Sequence, residues 1–212
     1  MSKAVLISIH PEWCEKIASG QKTIEVRKTR PKIETPFKCY IYETKAINHQ
    51  KIIVDLDGDR ATVYAKGKGK VIGEFICDDI ETIGVPFPAF QNEMRKEIIE
   101  QSCMSYSELH FYAGHRSLYG WHISDLVIYD KPKELSEFHK PSAESMEELL
   151  DYGILCNYCV ETGRGEHAFS SSPNGPIMCE GRFCNKAYQR YLDDEGFTLY
   201  RPPQSWCYVE EL

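Results

Sequence analysis

The segment Gly20–Lys28 constrains the fold of this chain most, because it joins the end of a helical pattern to a strand with two different faces. Gly20 suits a helix C-terminus, since a residue without Cβ readily adopts the left-handed conformation. The next residues alternate between an apolar set and a polar set: Ile24 and Val26, against Thr23, Glu25 and Arg27. This period of two predicts a strand that buries its aliphatic side chains and presents a charged row on its second face.

The charged row suggests an anion-binding site. Arg27 can form two parallel hydrogen bonds with a carboxylate or a phosphate, and Glu25 is close enough in sequence to orient it. Lys22 adds a second positive charge at the start of the strand. The alternative interpretation is a solvated face without function, and these residues alone leave both interpretations open.

The remaining pattern over residues 1–130 predicts a mixed α+β domain. The predicted strands are Ala4–Ile9, Phe37–Tyr42, a hairpin over 51–66, Val71–Cys77 and Leu118–Tyr129. The predicted helices are one that begins at Pro11, Phe90–Glu100 and Ser105–Ala113. Pro11 suits the first position of a helix, and Ser105 with Glu108 forms a capping box.

Charge and composition exclude two classes of protein. The net charge of −7 excludes a globally basic nucleic-acid binder, and no run approaches the ~20 apolar residues of a membrane span. The charge is uneven, because residues 1–50 hold nine Lys and Arg against five Glu, a balance of +4 that leaves −11 for the remainder. A basic cleft on an acidic body would attract an anionic ligand. The start of the chain shows no signal-peptide pattern, so we expect a cytoplasmic protein without a membrane partner.

Four of the nine cysteines have the spacing of a zinc site. Cys156 and Cys159 form a Cys-x2-Cys pair, and nineteen residues separate it from the Cys-x4-Cys pair of Cys179 and Cys184. Each pair can chelate from one turn, and four soft sulfur ligands select zinc. We therefore predict one structural Zn²⁺ per chain, in a closed site without a catalytic position. The alternatives are a redox role for the first pair and ligation by His167 in place of one thiol.

The zinc site defines a small unit outside the first domain. A helical pattern over 185–192 follows the second cysteine pair and gives a treble-clef-like layout. The predicted organisation is an α+β domain over 1–130, a linker over 131–150, the zinc-binding unit over 151–195 and a C-terminal strand over 196–212 that returns to the first domain. The scattered cysteines are expected to be buried and reduced: Cys14, Cys39, Cys77 and Cys103.

These features together resemble the ASCH domain, a branch of the PUA-like β-barrel superfamily. The signature of that family spaces a glycine, a lysine, a glutamate and an arginine over eight residues, and the matching positions here are Gly20, Lys22, Glu25 and Arg27. The resemblance continues through Gly67–Phe75 and Tyr119–Leu126 and covers residues 3–130. The ending Arg201–Val209 resembles the tail of ASCH proteins from bacteriophages and prophages.

The resemblance implies a PUA-like mixed β-barrel with flanking helices, beside which a cleft binds RNA or a modified nucleotide. In such a cleft the lysine and the arginine meet a phosphate or a carbonyl oxygen, and the glutamate accepts from an exocyclic amine or holds the arginine. An aromatic side chain would stack on a base, although Trp121 also fits a core position. The expected ligand-binding residues are Lys22, Thr23, Glu25, Arg27, Tyr119 and Trp121.

An enzyme is the second interpretation, and a phage protein that binds a host factor is the third. One branch of the family removes the acetyl group from N4-acetylcytidine with a lysine, a threonine nucleophile and a later glutamate. Lys22 matches the lysine, but Glu25 occupies the place of the threonine and Ser102 falls near that of the glutamate. The catalytic candidates are therefore Lys22 and Glu25. The family also includes metal-dependent ribonucleases, for which the nearest carboxylates are Glu25, Glu74, Asp78 and Asp79.

Overall fold

A computed structural model describes residues 2–56, 59–84, 96–141, 146–151, 198–199 and 201–212. The chain divides into two compact units, Ile7–Lys133 and a second unit that combines Met1–Leu6 with Glu134–Leu212. The first strand, β1 (Lys3–Ile9), contributes residues to both units. The predicted zinc ligands lie outside the described residues, so the zinc-binding unit stays a prediction.

The unit Ile7–Lys133 is a mixed α+β structure, as the sequence predicts. Its further strands are β2 (Ile24–Arg27), β3 (Phe37–Glu43), β4 (Ile47–Leu56), β5 (Asp59–Lys66), β6 (Lys70–Cys77), β7 (Ile80–Gly84), β8 (Leu118–His122) and β9 (Ser124–Lys133). Its helices are α1 (Pro11–Ala18), α2 (Lys96–Ser102) and α3 (Tyr106–Ala113). Ser105 and Glu108 form the expected capping box at the start of α3. The strand β7 has no counterpart among the predicted elements.

The strands of this unit belong to three sheets. Hydrogen-bonded neighbours follow the order β1-β3-β6-β9 in one sheet and β2-β8-β7 in a second, and β4 pairs with β5 as the predicted hairpin. The pairs for which a register is defined are antiparallel, for example β3 with β6 and β2 with β8. Within the part of the chain that the structure describes, the strand ladders do not close into the expected barrel.

The end of α1 confirms the helix stop that Gly20 predicts. Pro11 occupies the first turn, and Cys14 and Ile17 are buried on the inner face of the helix. The amide of Gly20 donates to the carbonyl of Ile17 over 2.9 Å, and Gly20 itself has φ +73°. That left-handed residue reverses the chain and delivers the next residues to β2.

Both faces of β2 are buried, so the alternative interpretation of a solvated charged face does not hold for Glu25 and Arg27. The aliphatic side chains Ile24 and Val26 pack in a core with Ile98 of α2 and Leu109 of α3. Hydrogen bonds fix the start of the strand, because the Thr23 amide donates to the Gln101 carbonyl and the Thr23 carbonyl accepts from the Ile123 amide, each over 2.9 Å. The charged face is covered by other residues of the same unit, as described below.

The predicted single strand Leu118–Tyr129 is two strands in different sheets. The break lies at Ile123: β8 pairs with β2 and β7, whereas β9 pairs with β6. At the break, the His122 amide donates to the Asp79 carbonyl over 3.0 Å, and Asp125 adopts φ +46°. Continuous β propensity therefore hides a change of sheet, because propensity does not specify which strand is the partner.

The unit that combines Met1–Leu6 with Glu134–Leu212 is described only in part. Its last strand, β10 (Trp206–Glu210), is the neighbour of β1. A 3-10 turn (Leu135–Glu137) and the helix α4 (Met146–Asp151) lie within the predicted linker, whose first residues instead belong to β9. Among the helices of the described ranges, none is long and apolar enough to span a membrane.

The left-handed conformation at the end of α1 makes a stability prediction. Gly20→Ala is expected to lower the free energy of unfolding by about 1–2 kcal/mol, because a side chain with Cβ is strained at positive φ. An added Cβ would meet nothing within 4 Å, so the effect is a backbone effect alone. Urea denaturation measures it. Gly20→Asn serves as the control and should lose less, since Asn tolerates this conformation. Equal urea midpoints for the Gly20→Ala variant and the wild type would contradict the prediction.

Candidate functional site

Three charged side chains from the segment that follows α1 converge inside the unit Ile7–Lys133. Lys22, Glu25 and Arg27 are only 2%, 3% and 9% exposed. The Glu25 carboxylate lies between the two cations: its Oε1 is 2.5 Å from Arg27 Nη1, and its Oε2 is 3.4 Å from Lys22 Nζ. The three side chains therefore form one buried charge cluster rather than a solvated row.

Lys22 is held at one end of this cluster. Its Nζ donates to the Ser102 carbonyl at the end of α2 over 2.7 Å and lies 5.1 Å from the centre of the Trp13 ring. Burial lowers the pKa of Lys22 below its ordinary value, and the neighbouring Glu25 carboxylate opposes that shift in part. An amine in this environment loses its proton more easily than a surface lysine does.

Arg27 is held at the other end by backbone carbonyls. Its Nη2 donates to the Ser8 carbonyl of β1 over 2.6 Å, and its Nη1 donates to the Val26 carbonyl over 3.2 Å. Two buried polar atoms of the cluster have no hydrogen-bond partner among the described residues: Glu25 Oε2 and Arg27 Nε. The first is an acceptor with an ion-pair contact only, and the second is a donor.

A small cavity opens on this cluster. Its volume is about 70 Å³, and its lining includes Trp13, Lys22, Glu25, Arg27, Met104 and Tyr112. Drug-sized ligands typically occupy about 300–1,000 Å³, and a water molecule takes about 30 Å³ of the liquid. The cavity therefore accepts a small polar group or the edge of a larger ligand, but not a whole nucleotide.

Net positive charge and unpaired polar atoms make this cluster a functional candidate. Burial of two cations against one carboxylate leaves an excess positive charge, which is costly in a protein interior. Such arrangements with shifted pKa values occur most often at functional sites. An anionic ligand group would offset the excess charge and could accept from Arg27 Nε, whereas only a donor on the ligand could pair with Glu25 Oε2.

The other predicted ligand-binding residues are placed less favourably. Tyr119 lies opposite Arg27 in the β2–β8 pair and is half-buried, and Thr23 is exposed beside the cluster. Trp121 lies opposite Glu25 but has no exposed surface, and it packs edge-on against Phe37 with ring centres 6.0 Å apart. Trp121 is therefore a core residue that offers no free face to a base, which corrects the expectation that it stacks on the ligand.

The sequence interpretation missed the residues that cover the cluster. Trp13 lies on α1, Met104 lies between α2 and α3, and Tyr112 lies on α3. Of these three, Trp13 alone had a readable signal, as an aromatic residue on the apolar side of the helix that begins at Pro11. The pairing of Lys22 with the Ser102 carbonyl had no signal, because a backbone acceptor eighty residues away leaves no mark in the sequence.

The carboxylates proposed for a hard cation do not form a ligand set. Glu74 instead accepts from the Tyr129 hydroxyl over 2.5 Å and lies 3.3 Å from Lys38 Nζ. Asp78 and Asp79 are exposed at the end of β6. Across the described residues, no group of three or more His, Cys, Asp or Glu side chains is arranged to hold a metal ion.

The described cysteines outside the zinc motif behave largely as structural residues. Cys14, Cys39 and Cys77 are buried and unpaired, as expected, and Cys103 is half-buried. Burial raises the pKa of Cys14 and Cys39 above the ordinary value and raises that of Cys77 to about 12. These three thiols stay protonated at neutral pH and are poor nucleophiles.

A second, wider cavity of about 650 Å³ lies along residues 30–35 and Asp79–Ile80. Its charged lining is mixed, with Arg30 and Lys32 against Glu34 and Asp79. The opposite charges balance, so this cavity shows no preference for a cationic or an anionic ligand.

The charge cluster makes a second stability prediction. Glu25→Gln is expected to lower the free energy of unfolding by about 3–5 kcal/mol, because it leaves two buried cations without their counter-charge. The matched control is Glu43→Gln, a buried glutamate outside the cavity that accepts one backbone amide over 3.2 Å. Urea denaturation of both variants measures the difference. An equal loss in both would show that Glu25 does not neutralise the cations.

Comparison with known proteins agrees with the signature positions. Residues 7–113, half of the chain, match the ASCH domain family. No curated protein matches the chain in sequence. The solved structure of ASCH from Zymomonas mobilis is similar, with 16% identity, 98% of this chain and 88% of that chain covered, and a TM-score of 0.49.

Two point mutants of the Zymomonas mobilis protein give comparable results. One has 16% identity over 99% of this chain and 92% of that chain, and the other has 13% identity over 98% and 89%, each with a TM-score of 0.48. Similarity at this level carries no argument about ligand or chemistry. The family match over half of the chain, which includes the signature lysine, glutamate and arginine, shows that this protein belongs to the ASCH domain family.

Proposed function

We propose that this protein binds RNA or a modified nucleotide through the cavity at Lys22, Glu25 and Arg27. One observation carries the proposal: three charged side chains that are almost fully buried, the cations Lys22 and Arg27 and the carboxylate Glu25, line one and the same cavity. The ASCH domain is a PUA-like fold associated with RNA binding, and this association supports the same ligand class.

The Glu25 carboxylate and the Arg27 guanidinium, which contact each other through Oε1 and Nη1, together offer acceptors and donors to the polar edge of a nucleobase. An exocyclic amine on the base would donate to Glu25, and a ring nitrogen or carbonyl oxygen would accept from Arg27. The cavity of about 70 Å³ admits such an edge but leaves the rest of the nucleotide outside. Lys22 Nζ lies 3.4 Å from Glu25 Oε2 and adds positive charge beside the carboxylate.

Amide hydrolysis on an N-acylated cytidine is the second candidate function. The lowered pKa of Lys22 favours it, because a neutral amine can act as a general base. In this reaction Lys22 would take a proton from water, the hydroxide would attack the acyl carbon, and the cytosine amine would leave with a proton. Glu25 then holds the substrate amide rather than acting as the nucleophile.

Further proposals concern the rest of the chain. We propose that the ASCH domain completes a PUA-like barrel, that the protein derives from a bacteriophage or prophage, and that its location is cytoplasmic. A host protein remains the alternative partner. We also propose that Cys156, Cys159, Cys179 and Cys184 bind one structural zinc ion, on the strength of their spacing.

Binding can be tested with a fluorescein-labelled single-stranded RNA of about 12 nucleotides, a length within the site sizes of single-strand binders. Nucleoside monophosphates, including that of N4-acetylcytidine, serve as competitors. Arg27→Lys keeps the charge but removes the Nε donor, and we expect about 10- to 150-fold weaker binding, as for a lost hydrogen bond to a charged group. Arg116→Lys, an exposed arginine outside the cavity, is the matched control.

The same assay separates the candidate functions. Chromatography of the acetylated nucleotide after incubation shows whether acetate is released, which would favour amide hydrolysis. Binding without product favours the primary proposal. If the wild-type protein binds neither the RNA nor any nucleotide and releases no product, the proposed function is wrong.

The zinc proposal predicts a specific loss. The wild-type protein should contain one zinc ion per chain by elemental analysis, and Cys159→Ser should lose it, because three remaining ligands hold the metal poorly. Limited proteolysis should then cut within residues 151–190 while the ASCH domain stays intact. Cys103→Ser, outside the motif, is the control and should keep the zinc. Full zinc retention by Cys159→Ser would refute the assignment.

A further inference from the structure

We propose that Trp13, Lys16, Lys28 and Tyr112 form a second subsite, the cavity mouth, which stacks one unpaired base and binds the phosphates beside it. This inference rests on the proposed function and makes its ligand more specific. The preferred ligand is then single-stranded RNA, in preference to a free nucleoside or a duplex.

The two aromatic residues of the cavity mouth lie where a base would leave the cavity. Trp13 and Tyr112 both line the cavity, and both are only half-buried. Lysine ammonium groups lie over both rings: Lys16 Nζ and Lys22 Nζ are 4.5 Å and 5.1 Å from the Trp13 ring centre, and Lys28 Nζ is 4.8 Å from that of Tyr112. The cavity mouth is therefore aromatic and basic at once.

Three separate elements build the cavity mouth. Trp13 and Lys16 are three residues apart on α1 and share one face of the helix. Lys28 directly follows β2, and Tyr112 lies on α3. Because β2 also presents Glu25 and Arg27, the cavity mouth and the charge cluster are positioned by the same strand.

The local charge favours phosphate. Two cations and one carboxylate line the cavity, Lys22 and Arg27 against Glu25. Two further cations, Lys16 and Lys28, lie over the rings of Trp13 and Tyr112, although the whole chain has a net charge of −7. Glu108 on α3 is close enough to Lys16 for that lysine to help lower its pKa, although the Ser105 hydrogen bonds are the larger cause. A phosphate near Lys16 would have this carboxylate close by, so Lys28 is the better candidate for a phosphate contact.

A stacked base can replace the lysines on the aromatic rings. An ammonium over an exposed ring contributes less free energy than a base stacked on the same ring. A bound nucleotide would thus take the ring face, and the displaced lysine would move to the adjacent phosphate. The stacking contact with the ring and the contact between the displaced lysine and the phosphate then form together. A nucleoside without phosphate forms the stacking contact alone.

The size of the cavity selects an unpaired base. About 70 Å³ admits the polar edge and leaves the base rings at the cavity mouth, where Trp13 and Tyr112 line the cavity. In a duplex this edge is occupied by the complementary base, so a paired nucleotide cannot offer it without flipping out.

Stacking is tested by fluorescence anisotropy with the labelled single-stranded RNA, the same sequence as a duplex, and nucleosides as competitors. Trp13→Leu and Tyr112→Leu should each bind the single strand about 5- to 150-fold more weakly, and Tyr112→Phe should restore most of the loss. The matched control is Phe111→Leu, since Phe111 is the neighbour of Tyr112 on α3, is 82% exposed and does not line the cavity.

Phosphate contact is tested by the salt dependence of binding. Lys28→Gln should reduce the slope of log K against log salt concentration by about 0.7, the value for one contact with a single strand. Lys133→Gln is the control, because Lys133 Nζ also lies over a tyrosine ring, 5.3 Å from the centre of Tyr129, away from the cavity. Its slope should equal that of the wild type.

The outcomes separate this inference from the proposed function. Weaker binding by the two Leu variants, together with preference for the single strand over the duplex, supports the cavity mouth. If Arg27→Lys weakens binding but the Leu variants and Lys28→Gln bind like the wild type, the cavity mouth is refuted and the proposed function stands. Equal affinity of the wild type for the duplex and for the single strand also refutes the cavity mouth. Absence of any binding by the wild type overturns both.

Discussion

The contact between Glu25 and Arg27, with Lys22 on the other side of the carboxylate, is the constraint on which the site depends. Three charges are tolerated in the interior only because backbone carbonyls complete their coordination: Ser102 for the lysine, Ser8 for the arginine. The end of α2 and the strand β1 must therefore both be in place before the charges can be buried. The cluster is a product of tertiary structure rather than of β2 alone.

Burial of these three charges does not favour stability, but the proposed ligand-binding site uses them for recognition. Apolar side chains of the same size would stabilise the interior at least as well as a buried ion cluster. The two cations and the one carboxylate instead leave an excess positive charge among the residues that line a small cavity. Sites that sacrifice local stability in this way are where binding or catalysis is expected.

The sequence predicts the features that depend on neighbouring residues, but not those that depend on long-range contacts. The helix stop at Gly20, the alternation in β2 and the capping box before α3 depend on neighbouring residues, so they could be predicted. The burial of the charged face could not, because Met104 and Tyr112, which help to cover it, come from some eighty residues later. The change of sheet at Ile123 could not be predicted for the same reason, because the alternation is nearly continuous and only the partner strands differ.

An acidic protein can bind an anionic polymer if the positive charge is concentrated where the ligand makes contact. At physiological ionic strength electrostatic interactions are screened over about 8 Å, so a phosphate at the cavity mouth responds to the nearby cations more than to acidic residues elsewhere. Lys16 and Lys28 lie within 5 Å of aromatic rings that line the cavity, and Lys22 and Arg27 lie in its wall. On the proposed function, the net charge of −7 opposes nonspecific adsorption of nucleic acid without weakening the proposed contact at this one place. The uneven charge distribution makes selectivity a property of the site rather than of the whole surface.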